Sequence, residues 1–302
     1  MSYRTLLLIL VLVPAVVLGA AAALGQRIPV PQWGRDYVVR VELGGGEESA
    51  TLELPKVEGP DDPSRPLVVI DAGHGGRDPG AIGTDADGKR FEEKRITLAL
   101  ALALRDELLK QGGIRVALTR ADDRILPLPH RPEIARQLDA DLFISIHADS
   151  AGEANDAVSG ASIYTLSDAA SSEAAARFAA RENDADRLNG ITIEGESKAV
   201  SAILVELSQQ RTQEDALAFA GLVLREGDKR LAFVPQPRRA AALAVLRAPD
   251  VPSVLFESGF VTNGTDRARL TTPEGRAEYA GVLARAIRVY FARRSENSAG
   301  GE

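Results

Sequence analysis

The chain predicts an α/β fold, a mixed, mainly parallel sheet with helices on both faces. Two observations carry this. From Leu67 onward, short apolar runs alternate with longer segments whose apolar residues recur at helical spacing. Several of the short runs lead directly into polar, glycine- or histidine-containing clusters, as strands of an open α/β sheet do where a site assembles at their carboxyl ends.

The elements follow in order. Arg4 is the one basic residue of the first five, and Leu6 to Leu24 then carries no charge. Small residues at 19–23 suit a signal peptidase, so 1–25 reads as a signal peptide or an uncleaved N-terminal membrane anchor, and the remainder is exported. Residues 26–66 form a short N-terminal segment. Val38 to Leu43 and Ala50 to Leu54 alternate as a small hairpin would, and Glu58 to Pro66 is a linker by composition. The domain proper spans 67–294. Leu67 to Ile70 is a buried strand; Ile96 to Lys110 is a helix with leucine or isoleucine at 96, 100, 104 and 108. Strands follow at Ile114 to Leu118, Leu142 to Ile146 and Ser162 to Leu166. Helices are expected at Ser171 to Ala185, Val200 to Leu207 and Gln213 to Leu224, then a strand at Val254 to Phe256. Pro273 to Arg293 closes the domain as a helix with proline in its first turn, and 295–302 reads as a disordered tail.

Composition narrows the chemistry. The 302 residues carry a net charge of −7, no cysteine, and three histidines, His74, His130 and His147. Disulfides, thiolate metal sites and cysteine nucleophiles are excluded, and the acidic balance speaks against a nucleic-acid partner. Any metal site must be built from histidine and carboxylate.

Three clusters follow strands: Asp71 to Gly80 (DAGHGGRDPG), His147-Ala148-Asp149 and Glu257-Ser258-Gly259-Phe260. Glu93, just before the Ile96 helix, is a fourth candidate. Taken singly, each has a plainer reading: His147 as a strand-end structural residue, Glu93 as a solvated carboxylate at a helix start, Glu257 as a cap. The glycine-rich stretch lacks the spacing of a phosphate loop. Taken together, two histidines and a glutamate suit a catalytic zinc ion with one open position, and Glu257 then suits a general base.

VVIDAGHGGRDPGAIG, EEK, SIHAD and PSVLFESGFVTN, in this order, closely resemble the motifs of the zinc-dependent N-acetylmuramoyl-L-alanine amidases of the type-3 amidase family. The resemblance covers Leu67 to Arg293. It implies His74, Glu93 and His147 as ligands of one Zn2+ and Glu257 as the catalytic glutamate. Glu93 is chosen over Glu92 because the family's ligand directly precedes a lysine, here Lys94. Thr119-Arg120, Asp123 and Arg131 also match, as scaffold, whereas His130 matches no motif. Asp149 stands where many members have asparagine. The implied reaction is hydrolysis of the amide between the lactyl group of N-acetylmuramic acid and L-alanine of the stem peptide, in the periplasm, for wall remodelling and daughter-cell separation.

The stretch between His147 and Glu257 exceeds what minimal members need and resembles the division-associated AmiB and AmiC type. It implies a regulatory helical insertion at about 169–247 that covers the cleft until a LytM-type activator displaces it. Glu182 is the candidate zinc-blocking side chain, with Glu194 and Glu196 behind it; an amphipathic helix pair packed on the sheet is the plainer reading. The chain is expected to be a monomer. Arg238 and Arg239 are read as surface residues or local substrate contacts. Competing readings are another exported zinc peptidase, weakened by the absence of HExxH, and a non-enzymatic wall-binding protein on the same scaffold.

Overall fold

A computed structural model describes residues 52–150, 157–188 and 202–299. The expected signal segment and most of the expected hairpin lie outside these residues, as do Glu194 and Glu196, and the described end of the hairpin, Leu52 to Leu54, is not a strand. The first strand, β1 (Leu67–Ala72), is followed by a small hairpin, β2 (Ile82–Thr84) and β3 (Arg90–Glu92), which runs straight into α1 (Glu93–Gln111). Then come β4 (Arg115–Leu118), α2 (His130–Gln137), β5 (Leu142–Asp149) and β6 (Ala161–Leu166). Two helices, α3 (Glu173–Glu182) and α4 (Ala185–Leu188), precede the long α5 (Ala202–Gly227) and β7 (Phe233–Ala241). A 3-10 turn (Ala244–Leu246), β8 (Ser253–Phe260), α6 (Gly264–Thr271) and α7 (Pro273–Ala299) complete the chain.

The main sheet has six strands in the order β4-β1-β5-β8-β6-β7. β4, β1, β5 and β8 are mutually parallel, β6 is antiparallel to β8, and β7 is parallel to β6. The mixed, mainly parallel sheet is therefore as the sequence predicts. β1 and β5 open on the apolar runs Leu67–Ile70 and Leu142–Ile144 because both of their faces are covered. On one face, Leu100 and Leu104 of α1 pack with Phe219 of α5 and Ile287 of α7. On the other, Ile134 of α2 and Phe178 of α3 pack with Leu246 of the 3-10 turn. Phe178 also stacks on Tyr164 of β6 at 4.6 Å between ring centroids.

The structure departs from the sequence reading at several elements, the unexpected β2–β3 hairpin and α4 among them. The helices expected at 200–207 and 213–224 are one helix, α5. The closing helix continues past Arg293 to Ala299, through residues expected in a tail. The short helices α2 and α6 have no expected counterpart. β7 was hidden by Pro235 and Pro237, which fall where its register against β6 shifts, on a sheet edge where missing amide donors are tolerated. Consequently the second half of the presumed insertion is scaffold. α5 buries Phe219, Ala220 and Val223 in the core, and β7 is a strand of the sheet. Among the described residues of the presumed insertion, α3 carries Glu182 to the strand ends, 3.3 Å from His147 Nδ1.

Candidate metal centre

The cluster forms where the parallel strands end. β1 and β5 pair through Ala72 and Ile146, and β5 and β8 pair His147 directly with Glu257. The turn after β1 then carries His74 over this edge with φ of 62°, in the left-handed region. Four clamps fix that turn. Arg131 donates to the carbonyls of Ala72 and His74, both at 2.8 Å. Arg120 donates to the carbonyls of Ala72 and Gly73, also at 2.8 Å, and Thr97 Oγ1 donates to Gly73 at 2.9 Å. Asp123 accepts from the Gly76 amide and from Lys94 Nζ, which also reaches the Gly76 carbonyl. The motif residues read as scaffold thus hold the backbone that presents His74. Position 73 must be glycine, because a Cβ there would lie 2.5 Å from the His147 ring.

Glu93 arrives from the other side, as the first residue of α1. Its Oε2 accepts from the Ala81 amide at 2.7 Å and its Oε1 from the Ala148 amide at 2.8 Å. His74 Nε2 and His147 Nδ1 each lie 3.1 Å from that Oε1. Glu182, at the end of α3, places Oε2 3.4 Å from His74 Nε2 and 3.3 Å from His147 Nδ1. All four side chains are buried.

This geometry fits an ion. Ligand atoms of His74, Glu93 and His147 lie within 4.8 Å of one another. A tetrahedral zinc with bonds of about 2.0–2.1 Å separates its ligand atoms by roughly 3.3–3.4 Å, close to the four spacings above. His74 Nε2 is buried with no hydrogen-bond partner among the described residues, although two carboxylates surround it. Its other nitrogen, Nδ1, is held by Asp78 Oδ2 at 2.7 Å, which turns Nε2 toward the cluster. Electrostatics agree. Burial would push both imidazoles down, but Glu93, Glu182 and Asp78 raise His74 well above its ordinary value, and Glu182 with Glu93 raises His147 to about 10. A pocket this rich in carboxylate favours positive charge.

Glu257 stands beside the cluster on β8. Its Oε2 accepts from the Asp149 amide at 2.9 Å, while Oε1 is buried without a partner among the described residues. Burial, then the Asp149 charge, push this carboxyl well above the usual carboxylate range. Asp149 itself is raised to about 7, by burial first, against the opposing charge of Arg181, with which it pairs.

A family model described as N-acetylmuramoyl-L-alanine amidase matches residues 68–289. The chain belongs to this family. The amidase AmiA of Salmonella typhimurium is 37% identical over 76% of this chain and 77% of its own length. The amidase AmiC of Escherichia coli is 34% identical over 76% of this chain, which spans only 54% of that longer protein. Among solved structures, the amidase AmiC2 of Nostoc punctiforme aligns with a TM-score of 0.52 at 28% identity, over 75% of this chain and 97% of that one.

Of the amidase-like residues expected from sequence, His74, Glu93, His147, Glu257 and Glu182 come together at one point. His130 stands apart, at the start of α2. Arg238 is exposed on β7, whereas Arg239 reaches the Tyr164 hydroxyl at 3.0 Å, so neither joins the cluster. Sequence reasoning missed Asp78. Its signal was local: an acid four residues after His74 within a glycine-rich turn, close enough to hold the ring.

Proposed function

We propose that this chain is a zinc-dependent, periplasmic N-acetylmuramoyl-L-alanine amidase. It would cleave the bond between the lactyl group of N-acetylmuramic acid and L-alanine of the stem peptide, in wall remodelling and daughter-cell separation. The observation that supports this best is the buried His74, Glu93 and His147 set with an unpartnered Nε2 beside the unpartnered Oε1 of Glu257.

In this reading His74 Nε2, Glu93 Oε1 and His147 Nδ1 hold the ion. Zinc bound there would supply an acidified water and a positive charge for the reaction. Glu257 Oε1 takes a proton from the attacking water. It then delivers that proton to the departing alanine nitrogen. The Asp149 amide holds the other oxygen of Glu257, so Oε1 stays aimed at the reaction. Glu257→Gln is expected to lower hydrolysis of a muramyl-peptide by about 10²–10⁴-fold with metal content unchanged. Chelation should abolish activity and added zinc restore it. Wild-type turnover in Glu257→Gln, or full activity of metal-free protein, would overturn the assignment.

We also read α3 as a lid. Glu182 occupies the position a substrate carbonyl or water needs, and Arg181 binds Asp149 at the rim. Such a lid calls for an activator that withdraws α3, of the LytM type. Export through residues 1–25 and action as a monomer complete the reading. No helix among the described residues is long and apolar enough to cross a membrane.

A further inference from the structure

The hairpin that delivers Glu93 also carries charge that the metal cluster does not use. Lys89 and Arg90 of the hairpin, Arg95 of α1 and Arg276 of α7 line a groove beside Phe91. Arg267 of α6 reaches the same ring; its guanidinium carbon lies 5.3 Å and Lys89 Nζ 5.0 Å from the Phe91 centroid. Glu92 is the one carboxylate lining the groove, and Arg90 and Arg95 already share it at 3.6 and 3.3 Å. Among the described residues, no carboxylate lies within ion-pair distance of Lys89, Arg267 or Arg276. Backbone carbonyls fix the two guanidinium groups instead, Arg267 through Val261 at 3.1 Å and Arg276 through Thr271 at 2.8 Å. In a chain with net charge −7, gathering these cations costs repulsion that an anionic ligand would offset. Fixed guanidinium forks beside an aromatic platform suit carboxylates in particular.

We propose that this groove is an exosite for the free carboxylates of the peptidoglycan stem peptide. The proposal rests on the amidase reading, since it assumes that the stem is the polymer presented at Glu93. Reach is compatible. Phe91 is two residues from Glu93, at most about 7 Å of extended chain, and Lys89 is four, about 14 Å. A stem peptide advancing by about 3.3–3.6 Å per residue brings its second to fourth residues over the same range. Its carboxylates would meet the groove while its first amide lies at the cluster.

The test is sedimentation of the full-length chain with purified sacculi, either intact or with their carboxylates converted to amides. Wild type should bind intact sacculi about tenfold more tightly than amidated ones at low salt, and the gap should close at high salt. The Lys89→Glu/Arg95→Glu double variant should bind both alike. Lys110→Glu/Arg293→Glu, an equal charge change on exposed positions elsewhere, should behave as wild type. The exosite is overturned if wild type ignores amidation, or if the control pair loses as much binding as the groove pair. It is also overturned if the groove variant loses binding to anionic phospholipid vesicles but not to sacculi, which would mark a lipid surface. Because the readout is binding, a chain that retains sacculi through the groove yet releases no stem peptide would sink the amidase reading and leave the exosite standing.

Discussion

His74 presents one nitrogen to the cluster because Asp78 holds the other. The 2.7 Å contact to Nδ1 selects the tautomer in which Nε2 is bare, and the Gly80 amide in turn holds Asp78 Oδ1 at 2.9 Å. This small chain of contacts sets the direction of a lone pair, which is what a metal site requires of its second partners. Asp78→Ala is therefore expected to weaken zinc binding by about 10–100-fold while leaving the fold intact. Competition with a chelator of known affinity measures it. Zinc affinity equal to wild type would show that ring orientation comes from packing against His147, whose ring lies 4.9 Å away, and not from the carboxylate.

At the scale of elements, the informative comparison is between α3 and its neighbour α5. α3 is held at its start by Ser172, which accepts from the Ala175 amide, and at its end by Asn183, which bonds Ala242 and Ala244. Beyond it, Asp186 accepts from the Leu128 amide at 2.9 Å. Its last turn meets the strand ends through polar contacts, Glu182 and the Arg181 pair with Asp149, while its body buries Ala175, Phe178 and Ala179 in the core. Polar contacts of this kind exchange for water at small net cost, whereas the apolar face of α5 does not. The last turn of α3, around Arg181 and Glu182, is thus released more easily than α5. Arg181→Glu places like charge against Asp149 and should raise basal amidase activity several-fold without an activator, as should Glu182→Gln. Activity unchanged in both would mean that α3 is a fixed wall of the cleft. The sequence showed the strands and α1 clearly, because buried parallel strands are continuous apolar runs and α1 repeats its leucines. It placed His74 just after a strand, and put His147 and Glu257 after strands that in the structure run on through them to Asp149 and Phe260. It could not show β7, whose prolines and arginines look like a loop until an edge position accommodates them. Nor could it tell α3 from α5 within the presumed insertion, because both read as helices and differ in what they pack against.

Across the whole molecule, one buried ion pair ties the site to the sheet. Asp71, at the end of β1, is fully buried and binds Arg131 of α2 at 2.8 Å, Thr119 after β4 at 2.6 Å and Ser145 of β5 at 2.7 Å. The same Arg131 holds the carbonyls of Ala72 and His74, so strand pairing, α2 and the histidine turn share one charge. Burial alone would raise the Asp71 carboxyl, but Arg131, Ser145 and Thr119 outweigh it and hold it below its ordinary 3.8. A carboxyl depressed on folding stabilises the folded state fully above its unfolded pKa, and loses that contribution as pH falls through the folded value. Asp71→Asn leaves Arg131 buried without its counter-charge and should cost about 3–5 kcal/mol near neutral pH. The difference from wild type should persist down to about pH 4 and shrink below it, as wild-type Asp71 takes up its proton. Urea unfolding of both proteins at pH 7, 4 and 2.5 provides the measurement. A difference that stays constant over this range would assign the cost to lost hydrogen-bond geometry and not to the charge. A variant that keeps wild-type stability at pH 7 would show that Arg131 needs no carboxylate partner, like buried Arg120, which donates to the carbonyls of Ala72, Gly73 and Lys94 and to the Thr97 hydroxyl.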